Sequence, residues 1–404
     1  MLYGEEQKNI VETLLPDYQK FHSLLESLAA FFEEKIMPGA GKVDREEIFP
    51  RDNLAQLAER GLFGLPFSPE YGGGGLPFPV YVSALESLAN ACANSALQVS
   101  IQGMICRGIG LFGEKDQRIM FLKEYGLAAG RKLIAFALTE PCCGSDAKAI
   151  QTTASLSGNS YVLNGNKMMI SNAGETDFAL VFAKSGNGIS AFVVPSDSPG
   201  FHVLKPIEKL GFRGNRLAAI HLENCVVQKG NLLGTEGRGL EYAKHILNSG
   251  RITIAAIGVG IAQAAFDKCI NYSRKRKAFG DSLSNFQLVQ QKLSDMATDI
   301  SAARLLTCYA SSLTDKGKDV ALQASKAKLF SSEMALRVCD HAIQIHGGYG
   351  YTDSYDVHRH WRDARLLTIG EGTSDMLRLL IAHLSLKDEG GKQSLEELHT
   401  KDKD

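Results

Sequence analysis

The sequence predicts an α+β protein of several domains, with a helical N-terminal domain, a middle β domain of sandwich or barrel type and a helical C-terminal domain. Three observations predict it. The chain has 404 residues, more than one hydrophobic core usually supports, and roughly 100–200 residues per domain implies two or three domains. The spacing of apolar residues changes from helical to strand-like near residue 131 and reverts near residue 243. Short β-prone runs separated by turn residues fill the stretch between. The boundaries read from these changes are 1–131, 132–243 and 244–386, with a tail over 387–404.

In the first domain Tyr18, Phe21, Leu24, Leu25, Leu28 and Phe32, and later Tyr81, Leu85, Leu88 and Ala89, recur at helical spacing. The stretch Tyr71 to Pro77 holds four consecutive glycines and predicts a break between helices. In the middle domain the β-prone runs are Leu133 to Leu138, Phe178 to Ala183, Ile189 to Val194 and Ala219 to Leu222. Asn164-Gly165 and Ser185-Gly186-Asn187-Gly188 predict tight hairpins. The third domain begins with the small-residue run Ile252 to Ala262, which suits helices that approach closely. From Lys387 the chain is charged and poor in apolar residues, so it is expected to fray.

The composition narrows the function classes. Acids and bases nearly balance, 45 against 44, which gives no reason to expect nucleic acid or a membrane surface as partner. The N-terminus shows neither the basic and apolar regions of a secretory signal nor an Arg-rich transit segment, so a cytoplasmic location is expected. The eight cysteines lack metal-ligand spacing and are expected to be reduced thiols.

Five segments suit chemistry, each with a plainer structural reading beside it. In Phe136-Ala137-Leu138-Thr139-Glu140-Pro141-Cys142-Cys143-Gly144-Ser145-Asp146 a β run gives way to hydroxyls and a glycine, fit for the polar edge of a heterocycle or for an ordinary turn. Asn164 to Asn172 reads as a hairpin and a strand whose Ser171 hydroxyl suits a ring nitrogen. Ser273 to Gly280 carries four consecutive bases, a solvated face or a site for a phosphate-bearing ligand, with Arg276 able to bind pyrophosphate bidentately. Gln344 to Tyr351 places Gly347 and Gly348 where a ligand can approach the backbone, or where a helix simply ends. Thr368 to Ser374 sets Glu371 between glycines, ahead of a helix that Thr373 or Ser374 can cap. His358 and His360, two apart, fall on different helix faces and do not predict a metal site.

In this order along a helical, β, helical chain the segments resemble the acyl-CoA dehydrogenase family, over about residues 15 to 385. Thr139-Glu140-Pro141 with Gly144-Ser145-Asp146 is similar to the family's first signature. Gln344-Ile345-His346-Gly347-Gly348, with Arg362-Asp363-Ala364 leading to Glu371-Gly372-Thr373-Ser374, is similar to its second. The resemblance implies a C-terminal four-helix bundle, FAD as cofactor, an acyl-CoA substrate, a homotetramer and an electron-transfer flavoprotein as electron acceptor. Residues 136 to 145 would line the isoalloxazine, Phe136, Leu138, Thr139, Gly144 and Ser145 among them, and Met169, Ile170 and Ser171 would cover its other side. Arg276, Phe279 and Gln287 would reach the FAD of a neighbouring subunit, while Gln344, Gly347, Gly348 and Thr373, with Asp375 nearby, would hold the cofactor's phosphates and adenosine half. Ser145, Asn248, Arg251 and Gly372 would meet the substrate, and Glu371 would be the base.

Three positions depart from the family pattern. Met169 stands for a usual aromatic, Gly370 for a tyrosine and Asp375 for a glutamine. Some members carry the base at the position matched by Gly250, which cannot serve, so the role falls to Glu371. The implied reaction removes an α-proton to Glu371 and a hydride from the β-carbon to the flavin, giving a trans-2-enoyl-CoA. The Glu371 backbone N–H and an FAD ribitol hydroxyl would polarise the thioester oxygen. An oxidase passing electrons to dioxygen shares the fold but is usually longer, and a non-catalytic assembly relative would have no use for Glu371, Ser145, Arg251 and Arg276 together.

Overall fold

The computed structural model describes residues 4–14, 18–186 and 188–386; the tail expected to fray, residues Met1 to Tyr3 and Asn187 of the predicted hairpin turn lie outside them. The first third is helical: α1 (Glu5–Leu14), α2 (His22–Phe31), α3 (Ala40–Arg45), α4 (Arg51–Glu59), α5 (Phe78–Phe112) and the single turn α6 (Lys115–Gln117). The four-glycine loop separates α4 from α5, as its composition predicts. Helix α5 is buried over nearly its whole length and kinks at Cys92, where φ −155° and ψ 98° interrupt the helical backbone.

The middle third forms one seven-stranded sheet from β1 (Ile134–Ala137), β2 (Thr153–Ser157), β3 (Ser160–Ser171), β4 (Phe178–Ser185), β5 (Gly188–Pro195), β6 (Phe201–Val203) and β7 (Leu217–Gln228). Its order is β1-β4-β2-β3-β7-β6, with β5 paired to β4. The period of two sorts β4 between two cores: Ala179, Val181 and Ala183 face a core within the β domain, while Leu180 and Phe182 join the helical core. A strand buried on both faces reads as a continuous apolar run, and β4 does.

One predicted hairpin is corrected. Asn164-Gly165 lies inside β3; the turn between β2 and β3 is at Gly158-Asn159, where Ser157 pairs with Ser160. Gly165 instead marks a register shift against β7, and a Cβ there would stand 2.5 Å from Thr152 Oγ1. Close backbone approach at a bulge, not a reversal, requires the glycine. The Ser185–Gly188 hairpin forms as expected, with those two residues paired.

The last third is helical again: α7 (Gly239–Lys275), a small hairpin of β8 (Lys277–Ala278) and β9 (Asp281–Ser282), then α8 (Gln287–Asp315), α9 (Ala321–His346), α10 (Val357–Leu367) and α11 (Ser374–Ser385). Helix α7 contains a window long and apolar enough to cross a bilayer, and 78% of that window is buried inside the protein, so its apolarity is that of a bundle's central helix. It packs between α5 and α9. Its small residues allow side chains to reach backbone across the seam, as Ser331 of α9 does to the Ala255 carbonyl at 2.6 Å. Polar latches join the domains: Asp363 of α10 accepts from the Phe212 N–H, and Arg362 pairs with buried Asp44. They fix α10 and hence the loop that follows it.

Candidate active site

The loop between α10 and α11 sets Glu371 in a left-handed backbone state, φ +55°, followed by Gly372 at φ +102°. Thr373 caps α11, its hydroxyl accepting from the Met376 N–H at 3.2 Å, so the plainer reading of that threonine is realised as well. Glu371 is not a surface residue: its Oε2 is buried and has no hydrogen-bond partner. Burial pushes its carboxyl up to about 7, and the charges of Lys328 and Arg251 work against that rise. A neutral-range carboxyl with a bare oxygen can accept a proton at physiological pH.

The oxygen faces Gly250 on α7. A Cβ at that position would overlap Glu371 Oε2 and stand 2.7 Å from Met104 Sδ. Gly250→Ala is therefore expected to displace the carboxyl by about 1 Å and lower kcat by about 10²-fold, since misplacement on that scale costs that much. Steady-state rates of the purified variant check this; a wild-type kcat would show that the carboxyl does not need its present position. Arg251, one residue on, donates Nε to the Glu371 carbonyl at 3.4 Å and Nη1 to Asn248 Oδ1 at 2.9 Å. Asn248, Arg251, Gly372 and Glu371 are thus one cluster, and Ser145 stands apart from it at the edge of the β domain.

A second cluster forms at the edge of the β domain. The Met168 N–H donates to the Thr139 carbonyl at 2.9 Å, which brings the first two candidate segments side by side. Between Lys167 and Ile170 the β3–β7 register shifts, and this bulge turns Met169 outward, with φ +57° and 54% exposure. Ile170 is buried, and Ser171 Oγ accepts from Asn215 at 3.1 Å. Phe136 packs on Phe182, Leu138 is buried, and Gly144 and Ser145 are exposed. Glu140, Cys142 and Cys143 offer ligand atoms within 4.8 Å of one another. Glu140 is already saturated by Lys167 and by the N–H groups of Gln151 and Thr152.

A third cluster lines a cleft of about 560 Å³: Arg276, Tyr272, Tyr349, His346, Gly347 and Gly348 are among its walls. Arg276 lies over the Tyr349 ring at 5.8 Å. The structure therefore brings Arg276 and the glycine pair to one cleft. Gln344 is exposed at the end of α9 nearby. The cleft does not include Phe279, Gln287, Thr373 or Asp375. Phe279, at the β8–β9 tip, is 99% exposed, and Asp375 is exposed beside Arg378.

Two features escape a reading of the sequence. Lys328 is wholly buried and donates to the Gly372 carbonyl at 2.7 Å; its signal is a lysine in register with Ala324, Ala327, Ser331 and Ala335 on the buried face of α9. Ser100 and Thr253, both buried, share a hydroxyl hydrogen bond of 2.6 Å across the α5–α7 seam, one turn from Met104 and Gly250.

The three clusters, two helical domains flanking a β domain, and a carboxyl held between glycines fit the acyl-CoA dehydrogenase pattern that the segments resemble. Comparison with known proteins gives the family. The descriptions "Acyl-CoA dehydrogenase, N-terminal domain", "middle domain" and "C-terminal domain" match residues 19–130, 135–225 and 237–386. The chain belongs to the acyl-CoA dehydrogenase family. It is 42% identical over 369 residues to probable acyl-CoA dehydrogenase YngJ of Bacillus subtilis, covering 90% of this chain and 97% of that one. To the human mitochondrial short-chain specific acyl-CoA dehydrogenase it is 41% identical over 365 residues, 89% and 88% of the two chains. Butyryl-CoA dehydrogenase from Megasphaera elsdenii superposes with TM-score 0.89 at 36% identity, covering 92% of this chain and 99% of that one. The family's cofactor is FAD. The residues present fit it: an arginine beside open glycines for phosphate, and exposed hydroxyls with an outward Met169 for the ring.

Proposed function

We propose that this acyl-CoA dehydrogenase acts on short acyl-CoA thioesters, with Glu371 removing the α-proton and an electron-transfer flavoprotein receiving the electrons. The observation that carries the reading is the buried, unpartnered Glu371 Oε2 held against the bare backbone of Gly250. Residues 136–145 and 169–171 flank the ring, and Arg276 with Gly347 and Gly348 takes the phosphates. Bound FAD supplies the hydride acceptor.

The chain's own groups do the rest. Glu371 must be ionised to act, so activity rises with pH through its raised pKa of about 7. Its backbone N–H polarises the thioester oxygen, a donor worth roughly 3–4 kcal/mol in the transition state. Arg251 and Asn248 orient the substrate from α7. The short-chain assignment rests on the relatives, among them the human short-chain specific enzyme at 41% identity and butyryl-CoA dehydrogenase from Megasphaera elsdenii at 36%. Phe279 at 99% exposure and Leu288 at 70% leave apolar surface around the hairpin for a second subunit, in support of a homotetramer.

The test is a panel of saturated acyl-CoAs with an artificial electron acceptor. Butyryl-CoA is expected to exceed octanoyl-CoA in kcat/KM by at least about 10-fold, one to three kcal/mol of pocket discrimination being typical. Equal or higher efficiency with octanoyl-CoA removes the short-chain assignment.

A further inference from the structure

We propose that Lys328 is a positioning residue for the base, its ammonium holding the Glu371-Gly372 turn and standing as a counter-charge to the Glu371 carboxylate. The inference rests on Glu371 being the base. A fully buried lysine is costly to desolvate and needs a compensating partner. Here the partner is a backbone carbonyl: Lys328 Nζ donates to Gly372 O at 2.7 Å. Arg251, from another helix, donates to the preceding carbonyl, Glu371 O, at 3.4 Å.

Two cations from α9 and α7 therefore grip consecutive carbonyls of one turn. That turn needs the grip, because Glu371 sits at φ +55°, a state few non-glycine residues adopt without support from their surroundings. The charges facing the carboxyl are Lys328 and Arg251; α5 contributes uncharged Met104. Lys328 also senses Glu333 on its own helix, which is paired to Arg378 of α11 at 3.6 Å.

Burial pushes Lys328 down to about 8 and Glu371 up to about 7, and the charge of each opposes the shift of the other. The sign of a substitution follows. Removing the ammonium removes an attraction that favours the carboxylate, so the pKa of Glu371 rises. Because the base acts ionised, the acid limb of kcat/KM moves to higher pH. A lysine that merely fills the core would change thermal stability and leave that limb alone.

The experiment compares wild type, Lys328→Met and Lys328→Gln as FAD-loaded proteins, with flavin absorbance, thermal melting and kcat/KM against pH for butyryl-CoA. Both variants are expected to bind FAD and to show the acid limb raised by about one unit, the size expected of a nearby opposite charge. Lys328→Gln, which keeps a donor, should retain the higher kcat. If Lys328→Met does not fold, Lys328→Gln decides alone. A folded, FAD-loaded variant with the wild-type limb overturns the proposal, and so does loss of FAD or of fold in both. Glu371→Gln measured alongside separates the two levels: activity surviving in it defeats the base reading itself, whereas an inactive Glu371→Gln with an unmoved limb in the lysine variants defeats this inference alone.

Discussion

Glu371→Gln is expected to bind FAD and fold like the wild type while turning over about 10²- to 10⁴-fold more slowly, the range general-base groups contribute. Glutamine preserves the volume beside Gly250 and Met104, so the cavity that the carboxyl occupies does not collapse. What is lost is the capacity to take a proton. Lys328 and Arg251, whose charges act on the carboxylate, then face a neutral amide, but the carboxyl's pKa is raised by burial, so the neutral side chain relieves a desolvation cost and stability should not fall with the rate. Anaerobic mixing with butyryl-CoA shows the effect directly. The wild-type flavin absorbance should bleach within the mixing time of a turnover, and the variant's should persist. Rapid bleaching in the variant would mean that another group removes the proton and that the buried oxygen at residue 371 has some other use.

Much of this arrangement could be read from the chain alone, for identifiable reasons. The three-part order is visible because apolar content and turn signals are local properties: α5 and α7 are apolar stretches of 35 and 37 residues, far longer than a strand. Strands buried on both faces, β4 and β5, are equally plain. Strands β2 and β6 are not, since Thr153–Ser157 is mostly exposed and Phe201–Val203 is only three residues long. Asn164-Gly165 misleads because a glycine that admits a neighbouring backbone has the same letter as one that turns the chain. The site residues are legible where glycines and hydroxyls punctuate an element, as at Thr139, Ser145 and Glu371. Contacts that close across the fold are not: Arg251 and Glu371 meet over 120 residues of separation. Lys328 is hidden for another reason. A lysine on a helix ordinarily signals solvent, and only its register with alanines and serines, confirmed by complete burial, says otherwise.

Glu140→Gln should destabilise the protein by about 3–5 kcal/mol, the cost of leaving one member of a buried ion pair without its partner. Lys167 and Glu140 meet at 2.7 Å with side chains 0% and 2% exposed. Burial pushes the Glu140 carboxyl up, but Lys167 and the N–H groups of Thr152 and Gln151 outweigh it and hold the group below its ordinary value. Its stabilising contribution is therefore complete above the unfolded carboxylate pKa and is lost as pH falls through the lowered folded one. The pair also ties the Thr139–Ser145 segment to β3, so FAD content should fall together with the denaturation midpoint. Glu140→Met with Lys167→Met separates charge from geometry. Removing both charges ends the desolvation penalty and should restore part of the stability. The Gln151 and Thr152 N–H groups remain without an acceptor, so recovery should stop short of wild type and the segment beside the flavin should stay loose. Full recovery of both stability and FAD content would show that the ion pair is dispensable for shaping this edge of the site. A single Glu140→Gln variant as stable as wild type would show that Lys167 finds another partner when the domain relaxes.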